Sequence, residues 1–458
     1  MTHAITLAYP AGPLTGQLAG MLEASEPPGL PRLLPDRGPV PVDLATHLRH
    51  HGVVPYRGGI RRLIPDVEAA GLTGRGGAAF PVHRKLAAVA GAGRRGQGAG
   101  RRPVVIGNGA EGEPASNKDK SLLWISPHLV FDGLQLAAEA VGSPTVGLYV
   151  HRNPRLLRRL AQALAERQRA GIDRVPAEVI EAPPRFLAGE ESALTSVAVG
   201  GAALPRLKQP RMSERGVAGR PTLVQNVETL AHLALIARYG AAWFRSVGTA
   251  AEPGSMLATL HQASGRTDVV ETTLGTPLRQ LLALPDAAGT AAAAAGAVLV
   301  GGYHGAWLTV AEARELTLSN ADLRPAGAAV GAGVLAALPP DRCGLTETAR
   351  VVCYLALESA GQCGPCFNGL PRMADAMAEL AELGPRPGAR ADLERWAGLV
   401  TGRGACHHPD GTVRLVRSAL RVFGDEIASH ARGECTGTSG SPFLPLPATP
   451  AIDDADWR

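Results

Sequence analysis

Aromatic side chains are scarce in this chain, only 4% of its 458 residues, and positive charge is nowhere concentrated. Lys and Arg number 46 against 41 acidic residues, a formal net charge of +5, and they lie scattered. A nucleic-acid surface wants a basic face with aromatics set between the charges, so that class is excluded. No apolar run reaches the ~18 residues of a membrane span. The best candidate, AAAAAGAVLVGGY (Ala291–Tyr303), is short, Ala-rich and broken by glycine. The amino-terminal stretch MTHAITLAYPAGPL has neither the charged start nor the long apolar centre of a secretory signal, which leads us to expect a cytoplasmic protein. Six cysteines are too few for a disulfide scaffold of this size and read more naturally as ligands. There is no G-x-S-x-G and no H-E-x-x-H, so two familiar hydrolase constellations are missing.

Glycine (56) and proline (37) are abundant, and the hydrophobic fraction is an ordinary 45%. Residues 1–58 read as a Pro/Gly-rich segment with one helical stretch, Leu44–His51. From residue 59 to 245 short apolar runs alternate with amphipathic ones. Strands are expected at Pro103–Ile106, Pro144–Arg152 and within VPAEVIEAPP, with helices between, the pattern of a parallel α/β sheet. Thr222–Tyr239 reads as one helix. Residues 250–325 suggest short strands around a small helix, 335–430 a helical region, and 433–458 a flexible tail.

Four loops carry polar groups. GRGGAAF, Gly74–Phe80, has glycines (Gly74, Gly76, Gly77) that let backbone N–H groups face a phosphate, with Arg75 and Lys85 to meet its charge and Phe80 to cover a ring. It is not the strand–turn–helix fingerprint of dinucleotide folds, and a plain structural turn is the alternative. GNGAEGEPASNKDK follows a strand and holds Asn108, Glu111 and Glu113 where α/β sheets bind ligands. AGEES places Gly189, Glu190 and Glu191 together, a pair that is equally well a solvated acidic loop. In PTLVQNVETL, Gln225 and Asn226 open a helix, with capping as the simpler explanation. Finally ESAGQCGPCFNG sets Cys363 and Cys366 at C-x-x-C spacing, which suits a metal or an iron–sulfur cluster but supplies two of the usual four ligands.

In one order stand GRGGAAFP, N-x-x-E-G-E-P with a following K-D, then GEE, PTLVQNVETL and ESAGQCGPC. Over roughly residues 60–430 this series resembles the NADH-binding flavoprotein (51 kDa-type) subunit of respiratory complex I, and related subunits of NAD-linked hydrogenases and formate dehydrogenases. The resemblance implies an α/β, Rossmann-like FMN/NADH domain, then a small β-grasp-like (SLBB) domain and a C-terminal helical iron–sulfur domain. It implies FMN held by Gly74, Arg75, Gly76, Gly77, Lys85, Asn108, Gln225 and Asn226. NAD(P)H would stack between flavin and Phe80, with Glu111, Glu113, Phe186, Gly189, Glu190, Glu191 and Lys208 around it and Glu113 positioning the nicotinamide. No protein acid or base has to act in the hydride step; the protein aligns two rings. A ferredoxin-like or thioredoxin-like iron–sulfur partner subunit would take the electrons, and any membrane association would come through partners.

The chain departs from that pattern at informative places. Ala110 stands where the family has Asp, Phe186 where it has Tyr, and Gln225–Asn226 where it has a pair of Asn. In the cluster motif C-G-x-C-x-P-C the first position is Ala360; Cys363 and Cys366 follow, and Cys406 in GRGACHHPDG is placed to be the distant ligand. A methyl group cannot bind iron. Three outcomes stay open: a [4Fe–4S] cluster completed by water, His407, His408 or an outside group; a [3Fe–4S] cluster; or an empty site. The favoured reading is an FMN-dependent NAD(P)H oxidoreductase subunit. The alternative is a structural or regulatory subunit descended from one, and the choice between NADH and NADPH stays open.

Overall fold

The computed structural model describes residues 29–35, 40–95, 102–206, 210–283, 295–435, 437–438, 440–448 and 457. Four parallel strands build the first sheet: β1 (Val104–Gly109), β2 (Val146–His151), β3 (Ala177–Ala182) and β4 (Thr222–Asn226), in the order β3-β2-β1-β4. The chain runs outward from β1 through β2 to β3 and then returns to add β4 on the other side. The carboxyl ends of β1 and β4 therefore flank a topological switch point, the usual crevice for ligands in such sheets. Asn108 and Asn226 are register partners there.

The helices Pro127–Val141 and Val227–Phe244 pack so closely that a Cβ on Gly133 would stand 2.0 Å from the Leu230 carbonyl oxygen. The helix read over Thr222–Tyr239 is thus a strand followed by a helix. TLVQN is buried on both faces of the sheet, so it shows no alternation to separate it from the apolar helix behind it.

The second sheet contains β5 (Ser255–His261), β6 (Thr267–Thr273), β7 (Ala297–Val300), β8 (Ala306–Thr309) and β9 (Val334–Leu338), in the order β6-β5-β9-β7-β8. Its middle strand, β9, lies beyond the 250–325 expected for this unit and inside the range expected to be helical. VLAAL is Ala-rich and carries little strand signal of its own; it is a strand because both faces are buried. Along β7, Val298 and Val300 join one core while Ala297 and Leu299 join another; β9 divides the same way, Leu335 and Ala337 against Val334, Ala336 and Leu338. The second of these cores is shared with the helices Gly344–Leu357, Leu370–Ala381, Ala389–Val400 and His408–Val422.

The tail expected to be flexible is anchored in its described parts. Glu347 accepts the backbone N–H groups of Phe443 (3.0 Å) and Leu444 (2.9 Å), and the Tyr303 hydroxyl donates to the Pro445 carbonyl. Leu444 is buried, and the Trp457 ring lies under the Arg185 guanidinium at 4.4 Å. Two apolar side chains thus anchor a segment whose Pro/Ser/Gly composition suggests an arm. At the other end, Arg32 donates to the carbonyls of Trp243 and Phe244, and Glu271 accepts from the backbone of Arg32 and Leu33, clasping both sheet domains.

Candidate functional site at the strand switch point

A cavity of about 290 Å³ opens at the carboxyl ends of β1 and β4. It gathers Gly76, Asn108, Glu111, Glu113, Phe186, Gly189, Glu190, Asn226 and Cys406 from residues more than 300 positions apart in sequence. Ala110, His304, His407 and His408 also reach it. Two backbone approaches shape it: a Cβ on Gly112 would lie 2.3 Å from the Phe186 carbonyl oxygen, and one on Gly189 would lie 2.7 Å from that of Ala110. The acidic loop and the GEE loop can therefore touch only as glycine-bearing backbones.

Each polar side chain has a definite posture. Asn108 donates to the Gly189 carbonyl at 2.9 Å, and Asn226 donates to Asp119 at 2.7 Å while capping its helix at Glu228 N. Glu111 accepts from the backbone of Asp119 and Lys120 and from the Ser116 hydroxyl, so its carboxylate mainly organises its own loop. Glu190 caps the helix Glu191–Val197. Glu113 accepts from Tyr303 N at 2.8 Å, bridging to the second sheet, and burial pushes its carboxyl up to about 7. Phe186 is edge-on to His304, ring centroids 4.9 Å apart.

Other expected ligands lie elsewhere. The Arg75 guanidinium is buried and donates to Ser255 O, Pro253 O, and Thr73 O and Oγ1, joining the glycine loop to the second sheet instead of facing the cavity. Its direction depends on β5, which local sequence could not reveal. Gly74 and Gly77 share that neighbouring recess. Lys85 pairs with Glu191 outside the cavity lining, and Phe80 is 52% exposed. Gln225 is buried in β4 with its amide nitrogen unpartnered. Lys208 lies outside the described residues.

The sequence reading assigned no role to a buried charge cluster beneath the cavity. Lys118 Nζ lies 2.7 Å from Asp119 and 2.9 Å from Glu228, whose other oxygen accepts from Leu257 N. Burial raises Asp119 to about 6. Burial acts on Glu228 in the same sense, but Lys118 and His232 hold it down at about 2. The available signal was the lone carboxylate in the apolar run VETLAHLALIA, since a buried charge requires a partner.

Cys406 lines the far wall, and Cys363 and Cys366 are its near neighbours. Cys366 is buried, its thiol pushed up to about 12 by burial and by the neighbouring Cys363, with Cys406 contributing. A single π-type turn, Pro365–Gly369, follows Cys363; such turns are frequent at functional sites. His408 is engaged at both nitrogens, with His304 at 3.0 Å and the Leu355 carbonyl at 2.8 Å, and burial lowers it to about 4. It is therefore removed from the candidates for the fourth corner, whereas His407 is exposed at the cavity. A separate group, Cys343, His430 and Cys435, has ligand atoms within 4.8 Å of one another.

The cavity suits a flavin in two respects that the structure itself supplies: the crevice lies at the switch point, and Gly76 crosses it with room for a Cβ only at 3.2 Å from Asn226. Comparison with known proteins agrees. Residues 67–235 match the Nuo51 FMN-binding domain, and residues 346–430 match the NADH-ubiquinone oxidoreductase-F iron–sulfur binding region. The class is thereby defined as an FMN/NADH-binding oxidoreductase subunit with an iron–sulfur region. The F subunit of NADH-quinone oxidoreductase of Mycobacterium tuberculosis is 30% identical over 431 residues, covering 88% of this chain and 92% of the relative. One of the F subunits of NADH-quinone oxidoreductase of Rhizobium meliloti is 28% identical over 402 residues, covering 84% and 94%. The chain belongs to the family of NADH-quinone oxidoreductase F subunits. Its fold also matches an NAD+-reducing [NiFe]-hydrogenase in the air-oxidised state, with a TM-score of 0.71 and 28% identity over 86% of this chain; the match spans 65% of the hydrogenase chain, under two thirds of its length. No helix among the described residues is long and apolar enough to cross a membrane.

Proposed function

We propose that this subunit binds FMN across the switch point and NAD(P)H above it, and passes electrons through Cys363, Cys366 and Cys406 to a ferredoxin-like or thioredoxin-like partner subunit. The observation that carries this reading is that one cavity is lined both by the flavin-type loops and by Cys406. When bound, the flavin supplies acceptance of a hydride and release of single electrons. The chain's part is placement. The Gly76 backbone would meet the phosphate end, Asn108 and Asn226 would hold polar ring edges, and Glu113 would accept from the nicotinamide amide. The buried Lys118–Asp119–Glu228 cluster keeps the floor rigid. Arg75 acts here through the second sheet, not on the phosphate. We read that five-stranded unit as β-grasp-like (SLBB).

Anaerobic purification with iron and sulfide supplied, followed by absorbance and by flavin, iron and sulfide analysis, tests the proposal. A flavin spectrum bleached by NADH or NADPH, with iron present, supports it. Flavin without iron would remove the relay assigned to the three cysteines. Neither, in a folded protein, would point to the structural-subunit reading that Ala360 favours.

A further inference from the structure

At the opposite end of the helical region from the cavity motif lies the second cysteine group. Cys343 caps the helix Gly344–Leu357, and its sulfur lies 3.4 Å from His430 Nε2 and 3.3 Å from a Glu426 carboxylate oxygen. Glu426 and His430 are four residues apart on the helix Gly424–Ala431, so both project from one face. Leu345 N donates to the same Glu426 oxygen at 3.3 Å, fixing its position. Cys435 comes in from the tail, its sulfur within 4.8 Å of the Cys343 and His430 ligand atoms.

Two observations point to an ion. The first is distance. Zinc bonds of about 2.3 Å to sulfur and 2.0–2.2 Å to nitrogen or oxygen, set tetrahedrally, put ligand atoms about 3.5–3.8 Å apart. The contacts of 3.3 and 3.4 Å already approach that spacing. The second is the state of His430, which is 1% exposed. Its Nε2, the nitrogen that faces the thiols, has only a long contact to Cys343. A buried imidazole so weakly partnered is costly unless something binds it.

We propose that Cys343, His430 and Cys435 bind one zinc ion, separate from Cys363, Cys366 and Cys406, with Glu426, which lies beside Cys343, turning in to close the fourth position. Two thiolates and an imidazole are zinc-type donors, and the carboxylate beside Cys343 would complete a tetrahedral set, which makes the site structural and not catalytic. Binding converts each thiol to thiolate and releases its proton. The ion joins the start of the helical region, its last helix and the tail. The tail is held close at this point: a Cβ on Gly437 would lie 2.6 Å from Cys343 N, and Thr438 N donates to Asp341 O at 3.1 Å.

The test is elemental analysis of the full chain, made without a histidine tag and purified anaerobically with zinc and iron in the medium. The expected result is one zinc per chain, lost in Cys435→Ser with flavin and iron unchanged, and retained in Cys406→Ser. Cys435 is exposed, so its variant folds even where His430→Gln does not. As a second measurement, cobalt(II) added to the zinc-stripped chain gives the intense visible bands of a tetrahedral thiolate site, absent in Cys435→Ser. Substoichiometric zinc indifferent to Cys435→Ser, iron held there instead, or a Cys343–Cys435 disulfide in peptides of the anaerobic protein would each overturn the proposal.

Discussion

The two ends of the helical region make opposite cases. At the cavity end, Cys363, Cys366 and Cys406 sit in a motif that names its own chemistry, yet one corner holds Ala360. At the tail end, three donors converge with no motif at all, and a carboxylate lies beside one of them. A short spacing such as C-x-x-C is visible because one turn of chain makes it, while Cys343, Glu426, His430 and Cys435 meet only after three elements have packed. A motif reports what a local turn can hold; convergence reports what the whole fold holds. The two do not have to agree.

The largest effect expected is a crossed loss. Cys406→Ser should abolish bound iron and spare zinc, and Cys435→Ser should do the reverse; metal analysis of both variants would break the comparison if either lost both. Ala360→Cys sharpens it from the other side. Restoring a fourth thiolate should raise iron retention and cluster lifetime in air, because cluster ligation is normally four-thiolate. Unchanged iron would mean that the vacant corner already has an effective ligand.

Next in size is an acid sensitivity of the cavity end. His408 has a folded pKa of about 4, depressed below the ordinary 6.5 by burial. Its contribution is present above pH 6.5 and lost as pH falls towards 4, amounting to no more than about 3 kcal/mol. Thermal unfolding followed from pH 7 to pH 4.5 should show the loss, and His408→Gln should lessen the slope without removing it, because burial also depresses His304, His232 and His151.

A smaller change is expected at Glu113, whose carboxyl titrates at about 7. NADH affinity should rise with pH through that value as the carboxylate becomes a better acceptor. Glu113→Gln should remove the dependence and raise KM about tenfold, the equivalent of one hydrogen bond to a charged group. Flavin content should hold; if it falls, Glu113 serves the flavin instead. Smallest of all is Phe80→Ala. At 52% exposure it should shift stability by less than about 0.5 kcal/mol, so any rise in KM for NADH reports the stacking role directly.

Much of the architecture was readable where an element's own composition and flanking breakers mark it. The helix read at Leu44–His51 coincides with the one observed, and the strand read at Pro144–Arg152 contains β2. Reading failed where a buried strand carries no mark of its own. TLVQN merged with the helix after it, and VLAAL passed for helix because alanines carry no period of two. The cavity loops were legible because glycines and acids crowd into short stretches. Arg75 was not, since a guanidinium buried against β5 looks the same in sequence as one aimed at a phosphate.

The place of β9 bears on the order in which the protein can be made. Residues 334–338 pair with both β5 and β7, so the strands on either side have no partner in the middle of the sheet until that segment has been synthesised. The hairpins β5–β6 and β7–β8 must wait as two open-edged pieces while the chain grows past them. A chain stopped before Val334 would leave both edges bare and would be prone to join with its neighbours.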